Sequence, residues 1–147
     1  MSEPQKAPTD GELEILKVLW DLGEGSVRQV HAELGADRGI VQSTVQAFLR
    51  TMEAKGLVDH RTVGRSFLYR AVRGREETER GLVGGLLDRA FDGAIDQLVA
   101  RAFDVQQPPA AALRQLRQLL DHAEARERGD VEHADLKRGD VEPGGQS

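Results

Sequence analysis

Polar and cationic side chains recur at helical spacing in the segment 40–55. Ser43, Gln46 and Arg50 are separated by three and four residues, and apolar residues such as Leu49 fill the positions of the other face. Hydroxyl, amide and guanidinium groups are those that hydrogen-bond to base edges and phosphates. The segment therefore predicts a helix that enters a DNA major groove.

A strand-like pattern with a basic turn follows this helix. Gly56 suits the left-handed conformation that ends a helix, and two runs rich in β-branched and aromatic residues, 57–62 and 67–72, flank a turn at 63–66. Cations near such a turn contact phosphates, which fixes register without reading sequence. The predicted DNA-contacting residues are Gln42, Ser43, Thr44, Gln46, Arg50, Lys55, Arg61 and Arg65.

Two shorter helices are predicted ahead of this segment. Thr9 and Glu12 have the spacing of a capping box, and Ser26 opens a second helix in the same way, which runs to about Leu34. Residues 35–39 form the turn before the third helix. Three helices followed by a hairpin predict a mainly α fold with a small β wing, a winged helix-turn-helix.

The charge of the chain is divided along its length. The net charge is -5, but residues 38–73 carry seven cations against two carboxylates. From residue 74 onward there are 10 basic and 15 acidic residues. This asymmetry is typical of a basic DNA-reading surface joined to an acidic assembly segment.

The C-terminal half has the pattern of amphipathic helices at 76–91, 94–103 and 110–125, with apolar residues three and four apart. Helices of this length bury little by themselves, so a dimer surface to which each chain contributes is the better explanation. The predicted dimerisation residues are Leu82, Leu86, Leu87, Phe91, Leu98, Phe103, Leu113, Leu116 and Leu120.

Four segments are therefore predicted. Residues 1–8 form a flexible N-terminus and residues 9–73 the winged-helix domain. Residues 74–126 form the helical dimerisation segment. Residues 127–147 are polar and repeat the unit Arg-Gly-Asp-Val-Glu, which is typical of a disordered tail.

Composition excludes several function classes. Cysteine is absent, which removes thiol catalysis and thiolate metal sites, and the four histidines have no metal-ligand spacing. The glycine-rich segment 81–85 lies in a helical pattern and lacks a phosphate-loop lysine. No apolar run approaches the roughly 20 residues of a membrane span, and no secretion signal is present. We expect a cytoplasmic protein without membrane insertion, with no enzymatic activity, cofactor or metal.

The order of these motifs resembles the penicillinase-repressor family of the BlaI/MecI type. The resemblance runs from about Thr9 to Leu120. The residues that carry it are Thr9-x-x-Glu12-x-x-Ile15-Leu16-x-x-Leu19-Trp20, Val27-Arg28-x-Val30, Ser43-Thr44-Val45-x-x-x-Leu49, Lys55-Gly56-Leu57-Val58 and Gly64-Arg65-x-x-x-Tyr69-Arg70.

The resemblance implies a homodimeric transcriptional repressor that binds a dyad-symmetric operator in double-stranded DNA. Family members often control β-lactamase and other antibiotic-resistance genes, and a membrane-bound sensor metalloprotease cleaves some of them. The corresponding region here contains Arg101 and Ala102, but it lacks the Asn-Phe pair typical of cleaved members. Copper-responsive relatives use C-terminal cysteines, which are absent here.

The residues leave two alternative functions open. A winged helix also serves as a ligand-responsive regulator, although the C-terminal helices offer few aromatic residues beyond Phe91 and Phe103 to line a pocket. It also serves as a protein-interaction module, in which Arg50 is a solvated surface cation. Salt-dependent binding to duplex DNA separates the interaction module from the repressor.

Overall fold

The computed structural model describes residues 7–35 and 39–146, and it describes side chains as far as residue 129. This part of the chain forms six helices and one antiparallel hairpin. The turn predicted at 35–39 lies mostly outside these residues. The elements are α1 (Asp10–Leu22), α2 (Val27–Leu34), α3 (Gln42–Lys55), β1 (Val58–Val63), β2 (Ser66–Ala71), α4 (Arg75–Phe91), α5 (Ile95–Val105) and α6 (Ala110–Gln146).

The predicted helix ends are confirmed where capping residues define them. The N–H of Thr9 donates to Oε1 of Glu12 at 2.9 Å, and the N–H of Glu12 donates to Oγ1 of Thr9 at 3.3 Å. Ser26 and Gln29 make the same reciprocal pair at the start of α2, at 2.8 and 3.2 Å. Gly56 ends α3 in the left-handed conformation, with φ of 83°. Local sequence signals thus determine where these helices begin and end.

The hairpin is tighter than the sequence predicted, and one residue ahead of α2 forms an isolated bridge to it. The strands continue to Val63 and Ser66, which pair with each other, so the turn contains only Gly64 and Arg65. Gly64 has φ of 62°, a conformation that two-residue hairpin turns require and glycine adopts without strain. Gly25, ahead of α2, exchanges two backbone hydrogen bonds of 2.9 Å with Tyr69. Sequence analysis missed this pairing because one bridge has no sequence pattern.

One hydrophobic core holds α1, α2, α3 and the hairpin together, and we call this assembly the head. The inward position predicted for Leu49 on α3 is confirmed, and Val45 and Met52 lie on the same buried face, so that each of the three is at most 1% exposed. Each large apolar side chain that is fully buried contributes roughly 1.5–3 kcal/mol relative to exposure. The buried core residues are Ile15, Leu16, Leu19, Val30, Val45, Leu49, Met52, Leu57, Val58 and Tyr69.

The chain divides into two compact units, one ending at Ala94 and the other beginning at Ile95. The domain boundaries stay a prediction, but the structure groups α4, which they assign to the C-terminal segment, with the head. The reason is a tertiary contact that periodicity does not reveal, since Trp20 of α1 hydrogen-bonds to the backbone just before α4. None of the helices described has the length and apolar content needed to span a membrane.

Helix α6 is longer than the sequence predicted. A helix ending at 125 and a disordered tail from 127 were expected, but α6 continues to Gln146. Residues 124–128 are Glu, Ala, Arg, Glu and Arg, which have high helix propensity, although the next residue, Gly129, is of the type that commonly ends a helix.

Candidate DNA-binding surface

The outer face of α3 is polar and exposed, while its inner face is buried in the head. Arg50 forms no hydrogen bond or ion pair with another described residue, and the same holds for the side chains of Ser43 and Gln46. These groups are therefore available to an external partner. The predicted contact residues of α3 that lie exposed are Gln42, Ser43, Thr44, Gln46 and Arg50.

Two histidines hold α3 in position, one at each end. Nε2 of His31, on α2, lies 2.6 Å from the carbonyl oxygen of Ile40, just before α3 begins. Because a carbonyl only accepts, this nitrogen carries the proton. Nδ1 of His60, on β1, lies 2.8 Å from a carboxylate oxygen of Glu53 in the last part of α3. The ring of His60 also stacks on Phe67 at 4.2 Å. The sequence showed only that these histidines lack metal-ligand spacing, and it did not predict their partners, which are a backbone carbonyl and a side chain of another element.

The tip of the hairpin presents one cation to solvent. Arg65 lies in the two-residue turn, is exposed and has no ion-pair partner among the described residues. A guanidinium at the tip of a projecting hairpin is well placed to contact a phosphate beside the groove that α3 would enter. Arg65 is therefore accessible, and its contact with DNA stays a prediction.

Arg61 of β1 is already paired within the molecule. Its Nε and Nη2 atoms donate to the two carboxylate oxygens of Glu24, at 3.0 and 2.5 Å. This hydrogen-bonded pair lowers the pKa of Glu24 and raises that of Arg61. Arg70 is likewise paired, with Asp59 at 2.8 Å. Both pairs are solvent-exposed and hence weak, so contact of Arg61 with DNA requires exchange of a carboxylate for a phosphate.

Lys55 points away from solvent toward a buried carboxylate. Its Nζ lies 2.9 Å from both Oε1 and Oε2 of Glu12, whose side chain is 3% exposed. The pair joins the end of α3 to the start of α1. The structure thus gives Lys55 a partner inside the head, and its contact with DNA stays a prediction. The two residues are 43 positions apart, so no local pattern indicated their pairing.

The environment of Glu12 makes the stability of the head depend on pH. Burial alone raises the pKa of Glu12, but the hydrogen bond from the Thr9 N–H and the ion pair with Lys55 outweigh it, so its pKa lies below 4.5. A carboxyl group whose pKa is lower in the folded state than in the unfolded state stabilises the protein when the pH is above the unfolded-state pKa. That contribution to stability is lost as the pH falls.

We therefore expect the free energy of unfolding to decrease as the pH is lowered below about 4.5. Urea unfolding between pH 7 and pH 3 would measure this dependence. Glu12→Gln removes the titrating group and should make the free energy of unfolding depend less on pH in this range. Glu79→Gln, at an exposed glutamate of α4, should leave the pH dependence unchanged. A Glu12→Gln profile parallel to that of the parent protein would contradict the assignment.

The predicted dimerisation residues all lie on α4, α5 and α6, where no described side chain is fully buried within this chain. Leu86, Phe103, Leu113 and Leu120 are 38–62% exposed, which is high for large apolar side chains in a folded protein. The half-buried members of the set are Leu82, Leu87, Phe91, Leu98 and Leu116. Arg101 and Ala102, the predicted cleavage region, lie exposed on α5.

Three helices, a β wing and an exposed polar face on the third helix define a winged-helix DNA-binding protein. The sequence profile of the penicillinase repressor family matches residues 8–122. The chain belongs to this family, as the resemblance predicted. The family consists of transcriptional repressors and not of enzymes.

The chain is also similar to individual proteins and to a solved structure. The chain is 24% identical over 120 residues to the penicillinase repressor of Bacillus licheniformis, covering 82% of this chain and 94% of that protein. It is 34% identical over 118 residues to the transcriptional regulator BlaI of Mycobacterium tuberculosis, covering 78% and 85%. Among solved structures, the DNA-binding domain of the repressor BlaI is 27% identical, with a TM-score of 0.45 over 52% of this chain and 93% of that one.

Proposed function

We propose that this protein represses transcription as a homodimer that occludes a promoter by binding a dyad-symmetric operator. The observation that supports it best is the face of α3, on which Ser43, Gln46 and Arg50 are exposed and unpaired with other described side chains. A helix whose inner side is fixed in a core and whose outer side offers donors and acceptors suits direct reading of base edges.

The two kinds of contact are divided between α3 and the wing. Arg65 and, after release from Glu24, Arg61 bind phosphates and fix the register of the head. Arg50 has the geometry to donate two hydrogen bonds to a guanine, the commonest specific contact of arginine. The base-reading residues are Gln42, Ser43, Thr44, Gln46 and Arg50.

Dimerisation covers the apolar side chains that a single chain leaves exposed. Ile95, Leu119 and Leu120 are 62–64% exposed, and Val105 is 86% exposed. Exposed apolar side chains on three successive helices are typical of a protein–protein interface. Two heads joined in this way require half-sites about 34–36 Å apart, or a multiple of that distance.

The regulated genes that the family membership suggests are those for β-lactamase, antibiotic resistance or cell-envelope stress. Release by a membrane-bound sensor metalloprotease would act on α5, where Arg101 forms an ion pair with Asp104 at 3.1 Å. Proteases bind extended chain, so α5 must unwind locally before it is cleaved. Mass spectrometry of the protein from cells exposed to a β-lactam tests this route, and an intact chain after derepression would contradict it.

Arg50→Ala should weaken binding to the operator by about 1–3 kcal/mol, because a base contact is lost, and should leave binding to random duplexes nearly unchanged. Fluorescence anisotropy on both duplexes would measure the difference. Lys17→Ala removes an exposed cation of α1 and serves as the matched control. Equal losses of affinity on operator and random DNA would show that Arg50 contacts phosphate only.

Arg65→Ala should instead weaken all duplexes alike, because a phosphate contact carries no sequence information. A plot of log affinity against log salt concentration should become shallower by about 0.9, the value for one phosphate. A salt series on the operator and on random DNA would measure both effects. An unchanged slope would place Arg65 away from the DNA.

A further inference from the structure

The first turn of α4 is attached to α1 by a small cluster that we call the Trp20 clasp. Nε1 of Trp20 donates a hydrogen bond of 2.9 Å to the carbonyl oxygen of Arg73. The guanidinium of Arg75 lies over the indole ring, 5.0 Å from its centroid, and Nη2 of Arg75 is 3.6 Å from Oδ1 of Asp21. Three interactions therefore connect the end of α1 to the beginning of α4.

Beyond its first turn, α4 is separated from the head by a groove of about 840 Å³. Pro8 and Leu57 line the groove on the side of the head, and Gly81, Leu82 and Gly85 line it on the side of α4. None of the residues of α4, all of which the structure describes, is fully buried. The direction of this helix therefore depends mainly on the Trp20 clasp.

A small change at the clasp is amplified along the helix. Helix α4 contains 17 residues. At 1.5 Å per residue it is about 25 Å long, so a tilt of about 10° at its first turn displaces its far end by roughly 4 Å. One base pair changes the distance between two half-sites by about 3.4 Å and their relative rotation by about 35°. Movement of this size is comparable to one base pair of operator spacing.

We propose that the Trp20 clasp sets the angle between the DNA-reading head and α4, and thereby determines which half-site spacing the dimer accepts. This inference rests on the dimeric repressor proposed above. Trp20 and Arg75 are positioning residues in this role and do not contact DNA. Their loss leaves the reading of each half-site unchanged and removes the preference for one spacing.

The test first uses the full-length parent protein to select an operator from random duplexes. The selected half-site is then placed twice in a set of duplexes whose spacing differs in steps of one base pair. Affinities are measured for the parent protein, Trp20→Phe, Arg75→Gln and the double variant. Arg80→Gln is the matched control, because Arg80 is also on α4 but pairs within that helix, with Glu76 at 3.5 Å.

We expect the parent protein and Arg80→Gln to lose about tenfold or more in affinity when the spacing departs from the optimum by two base pairs, a rotation of about 70°. Arg75→Gln and the double variant should lose less than about threefold across the same series, with affinity for a single half-site unchanged. Arg75→Gln removes no core side chain, so it remains informative if Trp20→Phe unfolds the head.

The remaining outcomes overturn the inference in distinguishable ways. If the variants keep the sharp spacing preference of the parent protein, the clasp does not set the spacing, although the dimeric repressor stands. If the parent protein is monomeric in sedimentation and selects only one half-site, the proposed dimeric function fails and this inference fails with it.

Discussion

We expect Leu116→Asp to convert the protein to monomers. Its affinity for the operator should then fall by about 10²–10⁴-fold, because linking two binding modules raises the affinity by that factor. Leu116 lies among the apolar residues of α6, and a carboxylate there would have to be buried without a partner in the proposed interface. The head does not include α6, so its fold and its binding to a single half-site should persist. Analytical ultracentrifugation and fluorescence anisotropy would measure the two effects.

Gln118→Asp is the matched control for this substitution. It introduces the same charge two residues further along α6, on the opposite side of the helix. This variant should remain dimeric and bind the operator as the parent protein does. The dimer model is contradicted if Leu116→Asp stays dimeric, or if its monomer binds the operator as tightly as the parent dimer.

Lys55→Met lowers the free energy of unfolding by about 3–5 kcal/mol, because removing one partner of a buried ion pair leaves an uncompensated charge. The carboxylate of Glu12 is 3% exposed and would lose both of its 2.9 Å contacts with the ammonium group. Methionine retains most of the apolar stem, so the effect is assigned to the charge. Urea unfolding at pH 7 would measure it.

Two controls separate this structural role from the DNA contact that the sequence predicted. Lys17→Met removes an exposed lysine of α1 and should change the stability little. Glu12→Gln combined with Lys55→Met removes both charges and should recover part of the lost stability. If Lys55→Met instead keeps its stability and loses affinity for DNA, Lys55 is a DNA contact after all.

The sequence predicted the fold of the head because the signals that determine it are local. Thr9 and Ser26 mark helix starts by capping, and Gly56 marks a helix end by its left-handed backbone. The apolar positions of α3 follow the period of a helix, which fixed in advance the face that is buried and the face that is exposed. The polar outer face, with Gln46 and Arg50, follows from the same period.

The assignment of cations to DNA depends on contacts between distant residues and was less predictable. Seven cations in residues 38–73 indicated a basic surface. The structure pairs Lys55 with Glu12, Arg61 with Glu24 and Arg70 with Asp59. Asp59 and Arg70 face each other across the hairpin. The partners of Lys55 and Arg61 are 43 and 37 positions away, so only tertiary packing reveals that these two cations are paired.

The sequence by itself determined the winged helix, the recognition face of α3 and the family, since periodicity, capping and motif order all lie within short stretches of chain. Only the tertiary structure decided that Lys55 holds α1, that Gly25 forms a bridge to the wing, that two histidines hold α3 and that Trp20 attaches α4 to the head. The physical reason is that hydrogen bonds and ion pairs require particular atoms to meet at about 3 Å. Residues far apart in the chain meet in this way only after the core has packed.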